Sequence, residues 1–249
     1  MKDIGIIGYG SFGSLLAKLL APHVPVLVYD KKAAPSELPD NVRAVSLAEV
    51  AACGVVVIAV DLSGISTVCE QLATLVSRQT TVMDICSVKV KPAEMLVNLL
   101  GGKCRLLATH PMFGPNSVAA NDGTCRGLTW VWHELSGGPF PELEALFGQT
   151  LGADIQRMTP DEHDQQMAWV HALTFFVGRA LVDMNIPDLA LDTGYYRKLR
   201  DLFELEKTHS RALFDTIEAG NPYAAEVRAQ LIATLQRLDS EVKELHYGD

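Results

Sequence analysis

A doubly wound α/β sheet followed by an all-helical segment is the architecture that this 249-residue sequence predicts. Three observations carry that expectation. Short, continuously apolar runs alternate with helix-period stretches through roughly residue 155, a glycine-rich turn closes the first run, and beyond residue 158 no strand pattern recurs.

The strand candidates are IGII (4–7), VLVY (26–29), VVVIAV (55–60), TVMDI (81–85), RLLAT (105–109) and LTWVW (128–132). Their unbroken apolarity fits strands covered on both faces, as in a mainly parallel sheet. Helix candidates fill the gaps at 11–20, 63–76, 91–100 and 141–151. Thr159, Pro160 and the acids behind them read as the start of a long helix reaching Met184. Its apolarity around much of the circumference suits a buried interface helix. Further helices are expected at 195–219 and 224–245, with NIPDLALDTG as a linker. These readings divide the chain into a nucleotide-type domain, 1–157, and a helical substrate and dimerisation domain, 158–249. The tail falls short of the ~100 residues of a typical domain, so a homodimer through its helices is expected.

Net charge of −9, with 48% hydrophobic and 20% charged residues, describes an ordinary folded protein. It argues against nucleic acid, which calls for clustered Lys and Arg. The sequence has no run of about 18 consecutive apolar residues, and no targeting segment is read at its start, so a cytoplasmic protein without membrane contact is expected. Cys53, Cys69, Cys86, Cys104 and Cys125 are widely spaced and odd in number, which suggests reduced, packed thiols and neither disulfides nor a metal site.

The turn GYGSFG holds Gly8, Gly10 and Gly13 in the G-x-G-x-x-G spacing of a Rossmann-type fold, between a strand and a helix. Gly8 permits the turn, Gly10 admits a pyrophosphate, and Gly13 lets helix and strand approach. Tyr9, Ser11 and Phe12 share that loop, Val60 ends the third run and Ser87 lies just past the fourth, so all are candidate cofactor contacts. Asp30 ends the second run where a carboxylate takes ribose hydroxyls and repels a 2′-phosphate. NAD is therefore expected, and Lys31 and Lys32 leave NADP open. A small-molecule substrate is expected with it.

Ser87 and Lys89 lie just past the fourth run, and His110 just past the fifth, where such sheets place active sites. His110 is either a general base or a strand cap. Pro111, Gly114 and Pro115 are read as stiffeners of its loop.

Taken together, GYGSFG, D-x-x-S-V-K at 84–89, THPMFGP at 109–115 and EHD at 162–164 resemble the prephenate and arogenate dehydrogenases of tyrosine biosynthesis. The resemblance implies oxidative decarboxylation of a cyclohexadienol with hydride transfer to a nicotinamide. It implies that His110 accepts the hydroxyl proton and that Ser87 hydrogen-bonds the same hydroxyl. It also implies an arginine for a substrate carboxylate: Arg197 is the candidate, with Arg200 and Lys198 nearby. His171 either reaches the substrate or packs in the core, while His163 and Asp164 are expected to fix the helix start. Where some prephenate-specific members carry a second histidine one turn beyond the His171 position, this chain has Phe175, which leaves arogenate open.

Two other readings use the same loop. A β-hydroxyacid or imine-type dehydrogenase would place a Lys or a proton donor on the long helix, which has neither Lys nor Tyr between Asp164 and Met184. A non-catalytic nucleotide sensor would not need both Ser87 and His110 at adjacent strand ends.

Overall fold

The computed structural model describes residues 3–32 and 37–245. Among them eight strands form one sheet: β1 (Ile4–Ile7), β2 (Val26–Tyr29), β3 (Val42–Ala44), β4 (Val55–Ile58), β5 (Thr81–Asp84), β6 (Arg105–Pro111), β7 (Thr129–Ser136) and β8 (Asp154–Arg157). Their order is β3-β2-β1-β4-β5-β6-β7-β8. Every pairing is parallel except β6 with β7. The chain runs outward from β1 to β3 and then returns to the other side of β1 with β4, in register Ile4↔Val55. That reversal opens a crevice at the carboxyl ends of β1 and β4, the usual place for a ligand in such sheets.

The continuous apolar runs exist because both sheet faces are covered. One face packs Ile4, Ile6, Val28, Val57 and Leu107 with Leu16 and Leu20 of α1 (Ser11–Leu20) and with Phe147. The other packs Ile7, Val56, Ile58, Val82 and Leu106 under α3 (Leu62–Leu72) and α4 (Val90–Leu100), through Ile65, Leu72, Leu96 and Leu100. α2 (Leu47–Ala51) begins with a capping box between Ser46 and Glu49.

Several expectations are corrected here. β3 and β8 are edge strands whose polar, exposed residues gave no apolar signal. β6 continues through His110 and Pro111, which pair with Val131 and Trp130 of β7 after β5 has ended at Asp84↔Ala108. His110 is thus inside its strand, not past it, because an antiparallel neighbour prolongs the ladder. Gly114 and Pro115 start a short helix, α5 (Pro115–Ala120), with Pro115 in its first turn, so they are a helix start more than a stiff loop. The helix expected at 141–151 is α6 (Pro141–Glu144) followed by a π-helical stretch, Ala145–Thr150.

The chain divides into two compact units, Met1–His163 and Asp164–Asp249. The division falls within α7 (Pro160–Met167), later than the 157/158 boundary read from the sequence. After a π-helical stretch, Ala168–Ala172, come α8 (Leu173–Met184), α9 (Gly194–Lys207), α10 (Arg211–Gly220) and α11 (Ala224–Glu244). The helical unit buries Ala172, Phe175, Ile217 and Ala224 together. Glu206, 1% exposed, accepts from Arg179 at 2.8 Å and lies 3.0 Å from His209 Nδ1. By length and composition Pro160–Met184 could cross a membrane, with a mean hydropathy of 1.2 over an 18-residue window. The Arg179–Glu206 pair instead marks it as a packed helix of this unit. It is less buried than expected: Trp169, Val170 and Met184 are exposed.

Candidate active site

The glycine loop forms where β1 meets α1. Gly8 has φ +100°, and a Cβ there would stand 2.3 Å from the Ala59 carbonyl oxygen and 3.1 Å from Val60 Cγ1, so the turn needs glycine and Val60 walls it. A Cβ on Gly13 would stand 2.0 Å from the Gly8 carbonyl oxygen, which is the close helix-to-loop approach expected of this position. A Cβ on Gly10 would meet no atom within 4 Å. Gly10 is also the N-cap of α1, where no side chain caps the first amides of the helix. This arrangement fits a pyrophosphate, which takes amide hydrogen bonds and favours the positive helix end.

The Asp30 carboxylate accepts from the Tyr9 amide at 2.7 Å and from the Lys32 amide at 2.8 Å. It therefore braces the loop as well as lying where a ribose would come. A carboxylate has lone pairs for further donors, so both roles are compatible. Ser11, Lys31 and Lys32 are exposed at this end of the sheet. Phe12 reaches across to Phe113, with ring centroids 6.0 Å apart, and Phe113 packs edge-on to Trp130 at 5.7 Å. Phe113 thus anchors the segment behind His110 to the glycine loop, a contact the sequence reading did not foresee.

Ser87 and His110 are held by a buried clamp. Asp84, at the end of β5, accepts from the Cys86 amide at 3.0 Å, from the Thr109 amide at 3.3 Å and from the Lys89 ammonium. Lys89 also donates to the Thr109 carbonyl at 2.5 Å, and Thr109 Oγ1 donates to the Asp84 carbonyl at 2.6 Å. Asp84 and Lys89 are 0% and 1% exposed. The clamp ties the loop carrying Ser87, just past β5, to the adjacent strand β6 that carries His110.

His110 is 5% exposed, and its Nδ1 lies 2.9 Å from Nε2 of His163, itself 1% exposed. Its partner was read from sequence only as a helix-start residue. The EHD string could have pointed to it, but nothing in the spacing links residue 163 to residue 110. Thr159 and Glu162 form a reciprocal cap: the Thr159 amide donates to Glu162 at 2.8 Å, and the Glu162 amide donates to Thr159 Oγ1 at 3.2 Å. These bonds hold the Glu162 carboxyl below its usual range.

The other two candidates belong to the helical unit. Arg197 on α9 is exposed, and its Nε donates to Asp192 at 2.5 Å. Arg200 donates to the Ile186 carbonyl at 2.9 Å and to Glu204 at 3.2 Å. His171 packs edge-on to Phe175 at 4.5 Å, and Phe175 stacks on His209 at 4.5 Å. All five cysteines are free and buried, and burial pushes the thiol of Cys69 up to about 12 and those of Cys53 and Cys104 to about 11.

A glycine loop at the switch point of a mainly parallel sheet defines this chain first as a dinucleotide-binding α/β protein with a helical companion unit. Residues 28–129, a span containing Asp30, Ser87, Lys89 and His110, match the family described as prephenate dehydrogenase, nucleotide-binding domain. Arogenate dehydrogenase 2, chloroplastic, of Arabidopsis thaliana is 26% identical over 96% of this chain and 69% of its own length. The T-protein of Enterobacter agglomerans is 32% identical over 58% of this chain, so the chain spans only 38% of that relative. A crystal structure of prephenate dehydrogenase from A. aeolicus, in complex with hydroxyphenyl propionate and NAD+, has the same fold at 19% identity and TM-score 0.72, covering 98% of this chain and 93% of that one. Residues 28–129 are thus similar to the prephenate dehydrogenase nucleotide-binding family, and nearly the whole chain is similar to a plant arogenate dehydrogenase.

Proposed function

We propose that the protein oxidatively decarboxylates prephenate or arogenate with NAD as hydride acceptor, a step of tyrosine biosynthesis. The observation that carries this reading is the clamp of Asp84, Lys89 and Thr109, which ties the segment carrying Ser87 to the strand carrying His110, in a sheet whose first turn fits a pyrophosphate. Bound NAD would supply the hydride acceptor for a substrate that loses carbon dioxide and becomes aromatic. Gly10 and the amides at the start of α1 would hold its pyrophosphate, and Asp30 would take its ribose hydroxyls. Ser87 orients the substrate hydroxyl, and His110 removes its proton as the carbon loses hydride. Arg197 is the candidate for a substrate carboxylate, because a guanidinium stays charged and forks onto two oxygens. His171 is a second substrate-side candidate. Two chains pair through the exposed apolar faces of their C-terminal helices, in the cytoplasm.

The test is a spectrophotometric assay of NAD and NADP reduction with prephenate and with arogenate, using His110→Asn as control. Reduction of NAD with at least one substrate, lost in the variant, is expected. No reduction with either substrate by the wild-type protein overturns the reading. NADP belongs in the assay because Lys31 and Lys32 are exposed beside Asp30.

A further inference from the structure

The bond between His110 and His163 joins two ring nitrogens, so only one of them carries the shared proton. If His110 Nδ1–H donates to His163 Nε2, the basic nitrogen of His110 is its Nε2. If His163 Nε2–H donates instead, His110 carries its own proton on Nε2 and cannot accept one there. We propose that His163 is a positioning residue that holds His110 in the Nδ1–H tautomer, readying Nε2 to take the substrate hydroxyl proton. This rests on the reading of His110 as the base of the dehydrogenase.

Three features of the fold support the assignment. The two rings stand 75° apart with centroids at 5.1 Å, the geometry of an edge nitrogen meeting its partner rather than of a packing stack. Both side chains are buried, so bulk water competes little for either nitrogen. His163 sits in the first turn and a half of α7, with its amide bonded to the Thr159 carbonyl at 2.9 Å, and the Thr159–Glu162 cap fixes that turn. The positive end of a helix disfavours an imidazolium at His163, and a neutral ring can accept at Nε2. Once His110 has gained the proton, Nδ1–H still donates to His163, and that bond stabilises the new charge. The string T-P-D-E-H is then a chain of placement: the cap fixes the helix, the helix fixes His163, and His163 fixes the tautomer of His110.

The experiment reads the tautomer directly by nitrogen NMR of 15N-histidine-labelled full-length protein, with the His110 signals assigned by difference from His110→Asn. The wild type is expected to show the His110 proton on Nδ1. His163→Leu, which offers no acceptor, is expected to move it toward Nε2 and to lower kcat about 100-fold with KM unchanged. His163→Gln, whose amide oxygen can accept, is expected to keep the Nδ1–H signature and most of kcat. A wild-type His110 protonated on Nε2 overturns the proposal, as does a His163→Leu protein with unchanged tautomer and kcat. If the leucine variant does not fold, the wild-type and glutamine spectra decide. Should the wild type reduce no nucleotide with either substrate, the dehydrogenase reading fails separately, and the tautomer measurement still decides the pair.

Discussion

Lys89 is buried against Asp84, and the same ammonium bonds the carbonyl of Thr109, the residue directly before His110. A buried pair of this kind is costly to break from one side, because the surviving charge is left without its partner. Lys89→Met is therefore expected to destabilise the protein by about 3–5 kcal/mol. Adding Asp84→Asn to Lys89→Met should recover part of that loss. Urea denaturation of the two variants checks this, and a single variant as stable as the wild type would show that the clamp does not hold the site.

His110→Asn is expected to lower kcat/KM by about 1,000-fold, within the span of general-base contributions. NAD affinity should be unchanged, since the glycine loop and Asp30 are untouched. Ser87→Ala should cost about tenfold, the worth of one hydrogen bond to the reacting hydroxyl. Steady-state kinetics beside calorimetric NAD titration separate the two effects.

The glycines of the loop should fail differently. Gly10→Val adds a side chain where the protein has no atom within 4 Å, so stability should change by less than about 0.5 kcal/mol while NAD binding weakens at least about tenfold. Gly13→Ala puts its Cβ against the Gly8 carbonyl and should cost about 1–3 kcal/mol of stability. Thermal melts with and without NAD distinguish a blocked site from a strained fold.

Thr159→Ala should cost about 1 kcal/mol as the loss of a helix cap. Glu162 supplies a pH dependence of known sign. The Thr159 amide and hydroxyl hold its carboxyl below the unfolded value, so its contribution is present above the usual carboxylate range and is lost as pH falls through the lowered value. The gap in Tm between the wild type and Glu162→Gln should therefore narrow between about pH 7 and pH 3. A gap that is constant over that range would mean that the carboxylate does not serve the cap.

Much of the nucleotide half was legible because its signals are local. The runs at 4–7 and 26–29 became β1 and β2 with unchanged bounds, since strands covered on both faces must be apolar at every position. Gly8 and Gly13 were legible because the turn and the close approach leave room for no side chain. β3 and β8 were not, because an edge strand is defined by the neighbour it pairs with, and DIQR has no pattern of its own. The length of β6 was likewise set by β7, from which it is separated in sequence by α5.

The strand-turn-helix with its three glycines, the acid that follows it, and the residue types able to bind an anion and move a proton are all written in the linear chain. These depend on backbone freedom and on periodicity, which a linear chain carries. Only the tertiary structure decided that Lys89 neutralises Asp84, that Thr109 is clasped between them, and that His163 meets His110 across 53 positions. A buried charge or an imidazole nitrogen takes its role from whatever the fold brings within bonding distance, and no spacing in the chain encodes that distance.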